Sequence, residues 1–90
     1  MKILVLNCGS SSIKYKLFDM ESKEVLAQGG VEKIGLKGSF LKAPLPNGDK
    51  LILEGEILEH QAGIEYILGV LTSEKYGCVK SLSEIDAVGH

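Results

Sequence analysis

The sequence predicts a mixed α/β unit built around a sheet, and three observations carry that expectation. Two apolar segments of strand length flank a turn of small residues near the start. An Asn47-Gly48 pair sits between two further strand-like segments, and this dipeptide is a strong short-range hairpin signal. One stretch, about 61–73, carries a helical apolar stripe.

Ile3-Leu4-Val5-Leu6 is apolar at every position, as expected of a strand covered on both faces. Asn7-Cys8-Gly9-Ser10-Ser11 is a turn by composition. From 12 to 19 the chain alternates, with Ile13, Tyr15 and Leu17 on one face and Lys14, Lys16 and Phe18 on the other. That is the pattern of a half-exposed strand, and the short turn makes an antiparallel hairpin its simplest pairing. After a polar turn at Glu21-Ser22-Lys23, residues 24–27 read as a third strand. Gly29-Gly30 then allow a bend or bulge before 31–34.

Residues 38–43 and 50–56 are the expected arms around Asn47-Gly48. Pro44 and Pro46 end the first arm early or hold it at a sheet edge. Region 35–56 is therefore a sheet extension or a protruding ribbon. In the helix, Ile64, Ile67, Leu68 and Leu71 make the i, i+3, i+4, i+7 stripe, which suits a core-facing surface. Gly63 and Gly69 weaken it, each by up to about 1 kcal/mol against alanine at an exposed interior position. Ser81 and Glu84 have the spacing of a capping box on a short turn. Residues 85–90 begin like a strand and stop without a polar terminator, which reads as a truncation point.

At 90 residues, with 44% apolar and 24% charged side chains, the chain fits one small domain. It has no room for a cleft between two full domains. Its apolar runs are too short to cross a bilayer, and Met1-Lys2 followed by four apolar residues and Asn7 does not read as a leader peptide. A net charge of −2 argues against nucleic acid, which needs a concentrated cationic footprint. All ten basic residues are lysines. Guanidinium is the preferred bidentate partner of phosphate and carboxylate, so a phosphate enzyme containing this chain takes part of its site from elsewhere. Two cysteines, Cys8 and Cys78, make neither a disulfide framework nor a metal knuckle. A reducing, cytoplasmic setting is the default.

The chemically informative stretch is Asn7-Cys8-Gly9-Ser10-Ser11-Ser12-Ile13-Lys14. Gly9 permits a tight backbone path. Three hydroxyls and their amides offer donors to anionic oxygens, and successive N–H groups in such a turn can form an anion nest. Asn7 supplies an amide oxygen suited to a hard cation or its bound water. Lys14, two residues into the next strand, can reach back to the same anion. A P-loop is excluded, because it needs Gly-Lys-Ser/Thr and a following helix. The dinucleotide fingerprint fails for want of glycines. Two readings stand on the residues alone: a phosphate-contacting hairpin, or an ordinary small-residue turn with a solvated lysine and Asn7 capping it.

Residues 5–14, Val-Leu-Asn-Cys-Gly-Ser-Ser-Ser-Ile-Lys, resemble the N-terminal signature of the acetate kinase (acetokinase) family. The likeness continues at Gly30-Val31-Glu32-Lys33-Ile34-Gly35, where the family more often has arginine than Lys33. It extends through His60 with its helix to Ile85-Asp86-Ala87-Val88-Gly89-His90, and so covers essentially the whole chain. The resemblance implies a mixed-sheet, incomplete N-terminal part of an actin-like (ribonuclease H-like) ATPase domain. Residues 1–90 would be the opening portion of the first of two domains, with the second absent.

It further implies reversible phosphoryl transfer from ATP to acetate, giving ADP and acetyl phosphate, in a cytoplasmic homodimer. Asn7 would help bind Mg²⁺ (or Mn²⁺). Gly9, Ser10, Ser11 and Ser12 would form the phosphate-facing turn, and Lys14 would be the nucleotide-binding lysine. The family's first catalytic arginine would follow His90 directly, so the chain holds no catalytic residue of its own. Propionate kinase is the near alternative. A non-catalytic structural fragment retaining the turn is the alternative of another class, and the isolated fragment is expected to be inactive.

Other chemistry-bearing residues carry bland expectations. Cys8 and Cys78 lack an activating base. His60 helps start the helix, and with His90 makes no zinc motif. Glu54, Glu56, Glu59 and Glu65 form a solvated acidic edge.

Overall fold

A computed structural model describes residues 1–45 and 48–89. Its strands are β1 (Lys2–Cys8), β2 (Ile13–Asp19), β3 (Glu24–Glu32), β4 (Phe40–Pro44), β5 (Lys50–Glu54) and β6 (Ala87–Gly89), with one α-helix, α1 (His60–Leu71), before β6. They form one sheet in the order β5-β4-β3-β2-β1-β6. The first five pair antiparallel with their sequence neighbours, whereas β6 lies parallel to β1. No described helix is long and apolar enough to span a membrane.

Period-two alternation in β2 sorts the sheet into two faces. Ile13, Tyr15 and Leu17 are buried with Leu4 and Leu6 of β1, and α1 packs on this side through Ile67, Val70 and Leu71. The opposite side carries Lys14 and Lys16, both exposed. Val5 shares it and is 37% exposed, so β1 is not covered on both faces as its composition suggests. The reason is the layer count, because burial among the described residues comes from one side.

The 35–56 region is a sheet extension, not a free ribbon, since β4 pairs with β3 from Gly30↔Lys42 to Glu32↔Phe40. Pro46 and Asn47 of the predicted hairpin turn lie outside the described residues, as does His90. Gly48, at φ +90°, has the left-handed backbone that glycine tolerates. β3 runs unbroken through Gly29-Gly30, and the irregularity expected there lies elsewhere. Leu17 pairs with Ala27 but Phe18 with Val25, leaving Leu26 as the extra residue. The glycine at 29 answers a different need: a Cβ there would stand 2.6 Å from the Lys42 carbonyl oxygen and 2.7 Å from the Tyr15 hydroxyl.

The helix begins one residue earlier than its stripe suggests and ends at Leu71. The Thr72 hydroxyl donates to the Leu68 carbonyl at 2.9 Å, which also accepts the Thr72 N–H at 3.1 Å. Gly63 is buried at the sheet, where a Cβ would lie 3.1 Å from Ile13 Cδ1. Only Gly69 fits the expected exposed, purely weakening glycine.

Strand β6 is latched to the start of the chain. The Lys2 N–H donates to Asp86 Oδ2 at 2.8 Å and the Asp86 N–H to the Lys2 carbonyl at 2.8 Å. Lys2 Nζ lies 3.1 Å from Glu84 Oε1. The same Glu84 carboxylate accepts from the Lys80 N–H and, at 3.3 Å, from the Ser81 N–H, as the capping spacing predicts.

Two outcomes follow for the full-length protein. Gly29→Ala drives a methyl into backbone and should destabilise by about 1–3 kcal/mol, whereas Gly69→Ala, with open space around it, should stabilise by up to about 1 kcal/mol. Denaturant midpoints check both.

The latch is pH-dependent at each end. The Lys80 amide and the Lys2 ammonium hold the Glu84 carboxyl below its ordinary 4.5, so its contribution is complete above 4.5 and lost as pH falls through the lower folded value. The bond to Glu84 raises Lys2 above 10.5, so its contribution is complete below 10.5 and lost as pH rises beyond the folded value. Glu84→Gln should flatten the acid limb of the stability profile while leaving other carboxylates to titrate. An unchanged acid limb would show that the latch does not contribute.

Candidate functional site

The hairpin β1–β2 brings the sequence-predicted residues together. Its ladder is in register from Lys2↔Asp19 to Cys8↔Ile13, and it pairs Asn7 directly with Lys14. Directly opposed residues on antiparallel strands have Cβ atoms about 4.5–5.5 Å apart, and both side chains leave the face away from α1. Both line a depression of about 510 Å³ with Val5, Lys16, Phe18 and Gln28. Its walls mix apolar side chains with two amides and two ammonium groups.

The turn joining the strands is closed by the Gly9 N–H donating to the Ser12 carbonyl at 2.8 Å. An ideal Cβ at position 9 would stand 2.8 Å from Ser12 Oγ, so a side chain there would oblige the Ser12 hydroxyl to turn away. The Ser11 carbonyl accepts the Ile34 N–H at 2.8 Å, which pins the turn to the segment after β3. Gly9 and Ser10 are exposed, and Ser11 and Ser12 half-buried. The turn thus presents hydroxyls and amides from a fixed backbone, and Lys14 adds a cation beside it.

No group of three or more His, Cys, Asp or Glu side chains capable of holding a metal exists among the described residues. The exposed Asn7 amide oxygen fits a magnesium ion that keeps most of its waters, which it would contact directly or through one of them. It does not fit a dedicated protein cage.

Sequence reading missed two groups. Lys42 and Lys50 share a second depression of about 350 Å³ with Lys14, Gly30 and Glu32, and there Glu32 Oε2 is buried with no hydrogen-bond partner among the described residues. Only the β3–β4–β5 pairing order could have announced this. His60, expected simply to begin the helix, also places Nε2 2.7 Å from the Gly9 carbonyl oxygen.

Cys8 and Cys78 are free thiols, and burial pushes the Cys78 thiol up, which disfavours a nucleophilic thiolate. Burial also pushes the Tyr15 phenol up to about 12, so it serves the core in neutral form. Glu54, Glu56, Glu59 and Glu65 are all exposed.

Residues 2–90 match the model of the Acetokinase family. The chain is 83% identical over all 90 residues to an acetate kinase of Azobacteroides pseudotrichonymphae genomovar. CFP2, spanning 23% of that protein's length. It is similar to the crystal structure of Porphyromonas gingivalis acetate kinase, with a TM-score of 0.95 and 64% identity, over 99% of this chain and 22% of that one. A propionate kinase from Francisella tularensis subsp. tularensis SCHU S4 matches at TM-score 0.80 and 30% identity, over 99% of this chain and 21% of its own. The chain therefore spans about a quarter of the length of these relatives.

Proposed function

The chain belongs to the acetokinase family, and from that premise we propose that the protein containing it is an acetate kinase, an ATP:acetate phosphotransferase. The fold is a mixed-sheet portion of an actin-like (ribonuclease H-like) ATPase domain. In this reading residues 1–90 open the first of two domains, and the whole enzyme is a cytoplasmic homodimer. The observation that carries the proposal is the Asn7–Lys14 cross-strand pair beside the closed Gly9–Ser12 turn, in a chain of this family.

The reaction joins an acetate oxygen to the γ-phosphorus of ATP and breaks the bond to the β-phosphate bridging oxygen, releasing ADP and acetyl phosphate. Acetate is already ionised near pH 7, so no strong base is required. Positioning and neutralisation of charge carry the catalysis. Lys14 places its ammonium against the nucleotide phosphates, and the amides and hydroxyls of Gly9, Ser10, Ser11 and Ser12 donate to phosphate oxygens. Asn7 would help hold a divalent ion, Mg²⁺ or Mn²⁺, through its amide oxygen. When bound, that ion supplies Lewis-acid neutralisation of phosphoryl charge.

The remaining cationic groups come from outside the chain, which has no arginine. β6 pairs Gly89 with Val5 in parallel. A strand continuing in step would set the residue after His90, the expected catalytic arginine, level with Asn7. That register supports the reading in which a group beyond the 90 residues completes the site.

The test is acyl-phosphate formation by the full-length protein under magnesium-ATP, with acetate and propionate at matched concentrations. Higher kcat/KM with acetate is expected. Higher kcat/KM with propionate would make it a propionate kinase, and no transfer to either would leave the hairpin a structural element.

In the same assay Asn7→Ala should lower magnesium-dependent kcat/KM by about 10–100-fold, the usual effect of removing a group that orients a metal or its ligands. Lys14→Ala should raise KM for ATP by about tenfold or more, since a charge-assisted hydrogen bond is worth about 1.5–3 kcal/mol. Nucleotide kinetics matching wild type in the Lys14 variant would remove that residue's role.

A further inference from the structure

We propose that His60 is a positioning residue for phosphoryl transfer, acting through the peptide bond between Gly9 and Ser10. The inference rests on the reading of this turn as the phosphate-facing element. His60 Nε2 stands 2.7 Å from the Gly9 carbonyl oxygen, across 51 residues of sequence. A carbonyl can only accept, so Nε2 carries the hydrogen.

A trans peptide is planar, with its C=O and N–H on opposite sides. Holding the Gly9 carbonyl toward α1 therefore turns the Ser10 N–H away from the helix. Asn7 and Lys14 leave the sheet on the side away from α1, and in this proposal the Ser10 amide, turned from the helix, serves the anion that they address. Without the tether this unit is poorly held, because its leading residue is glycine, which opposes rotation of the plane least.

The histidine is itself rigidly supplied. Three residues before it, Ile57 is fully buried, and its N–H donates to Ser39 Oγ at 2.9 Å. The Ile57 carbonyl accepts the Gly35 N–H at 2.8 Å, and neighbouring Ile34 donates to the Ser11 carbonyl at 2.8 Å. The turn is thus gripped at Ser11 from the β3 side and at Gly9 from the helix side. One helical turn beyond His60, buried Gly63 lets α1 approach Ile13 and Ile34. Groups fixed this way keep a donor aimed before substrate arrives.

The experiment compares His60→Gln, His60→Asn and His60→Ala in the full-length protein. The Gln amide nitrogen can reach the place of Nε2, while the shorter Asn amide cannot. The Gln variant should stay within about threefold of wild-type kcat/KM for ATP, and Asn and Ala should fall about tenfold or more, the scale of one lost well-placed hydrogen bond. KM for acetate should stay within about twofold, because the tethered amide addresses the nucleotide.

Glu59 is the N-cap and His60 the first helical residue, so a residue that merely starts the helix gives a different order, with Ala tolerated best by helix propensity. Asn or Ala variants with wild-type ATP kinetics would therefore overturn the positioning role while leaving the kinase reading intact. A wild-type protein that forms no acyl phosphate from acetate or propionate would overturn that reading and this role with it. Nitrogen-15 NMR of the wild-type His60 ring gives a measurement independent of variant folding. The proton is expected on Nε2, and a ring protonated only on Nδ1 would overturn the tether.

Discussion

The site depends first on the register of one ladder. β1 and β2 pair over seven consecutive positions without a slip, and a shift of one residue would send every side chain of one strand to the other face. Two forces fix that register. Leu4 against Leu17 and Leu6 against Tyr15 must share the side that α1 covers, and the Gly9–Ser12 bond closes a turn of set length. Asn7 and Lys14 inherit their juxtaposition from this. Their chemistry needs a common face, but the burial of their neighbours puts them there.

The division of the sheet into an apolar side and a polar side separates stability from chemistry. Mutations toward α1 change packing, while Asn7, Lys14, Lys16, Gln28 and Lys42 change the electrostatics of the open side with little loss of core. On the proposed reading, this arrangement also accounts for how a chain with ten lysines and no arginine would serve phosphate chemistry. A lysine contributes a compact charge without a fixed geometry, so the backbone of the turn must provide the directional donors. A rigid turn is then a chemical requirement as well as a structural one.

What could be read in the sequence was what short-range physics decides. The β1–turn–β2 unit, the Ile64–Leu71 stripe and the Ser81/Glu84 spacing each depend on neighbours within a few residues, and each is present. The expectation for Val5 failed because composition reports how apolar a strand is, not how many layers this stretch of chain can stack on it. The bulge was expected at the glycines because glycine permits one. It lies at Leu26, while Gly29 is small to make room for Tyr15 and the Lys42 carbonyl. At the site, Asn7, Gly9, Ser10, Ser11, Ser12 and Lys14 were legible as one segment. The bond from His60 to Gly9 and the approach of Lys42 to Lys14 were not, since both join residues brought near only by the sheet order and the helix crossing.

The parallel pairing of β6 with β1 has a consequence for how the chain is made. β1 can zip to β2 as soon as both have left the ribosome, but its other edge finds its partner only when residues 87–89 emerge. Roughly 70 residues later, at about 5–20 residues per second, that edge has waited about 4–14 s. During that interval β1 presents unpaired backbone groups beside apolar Ile3 and Val5, a template on which a second nascent chain can add a strand. The lysine at position 2, later committed to Glu84, lies on this waiting edge as a charge of the kind that discourages such pairing. One side chain thus guards the open edge during synthesis and fastens it shut afterwards.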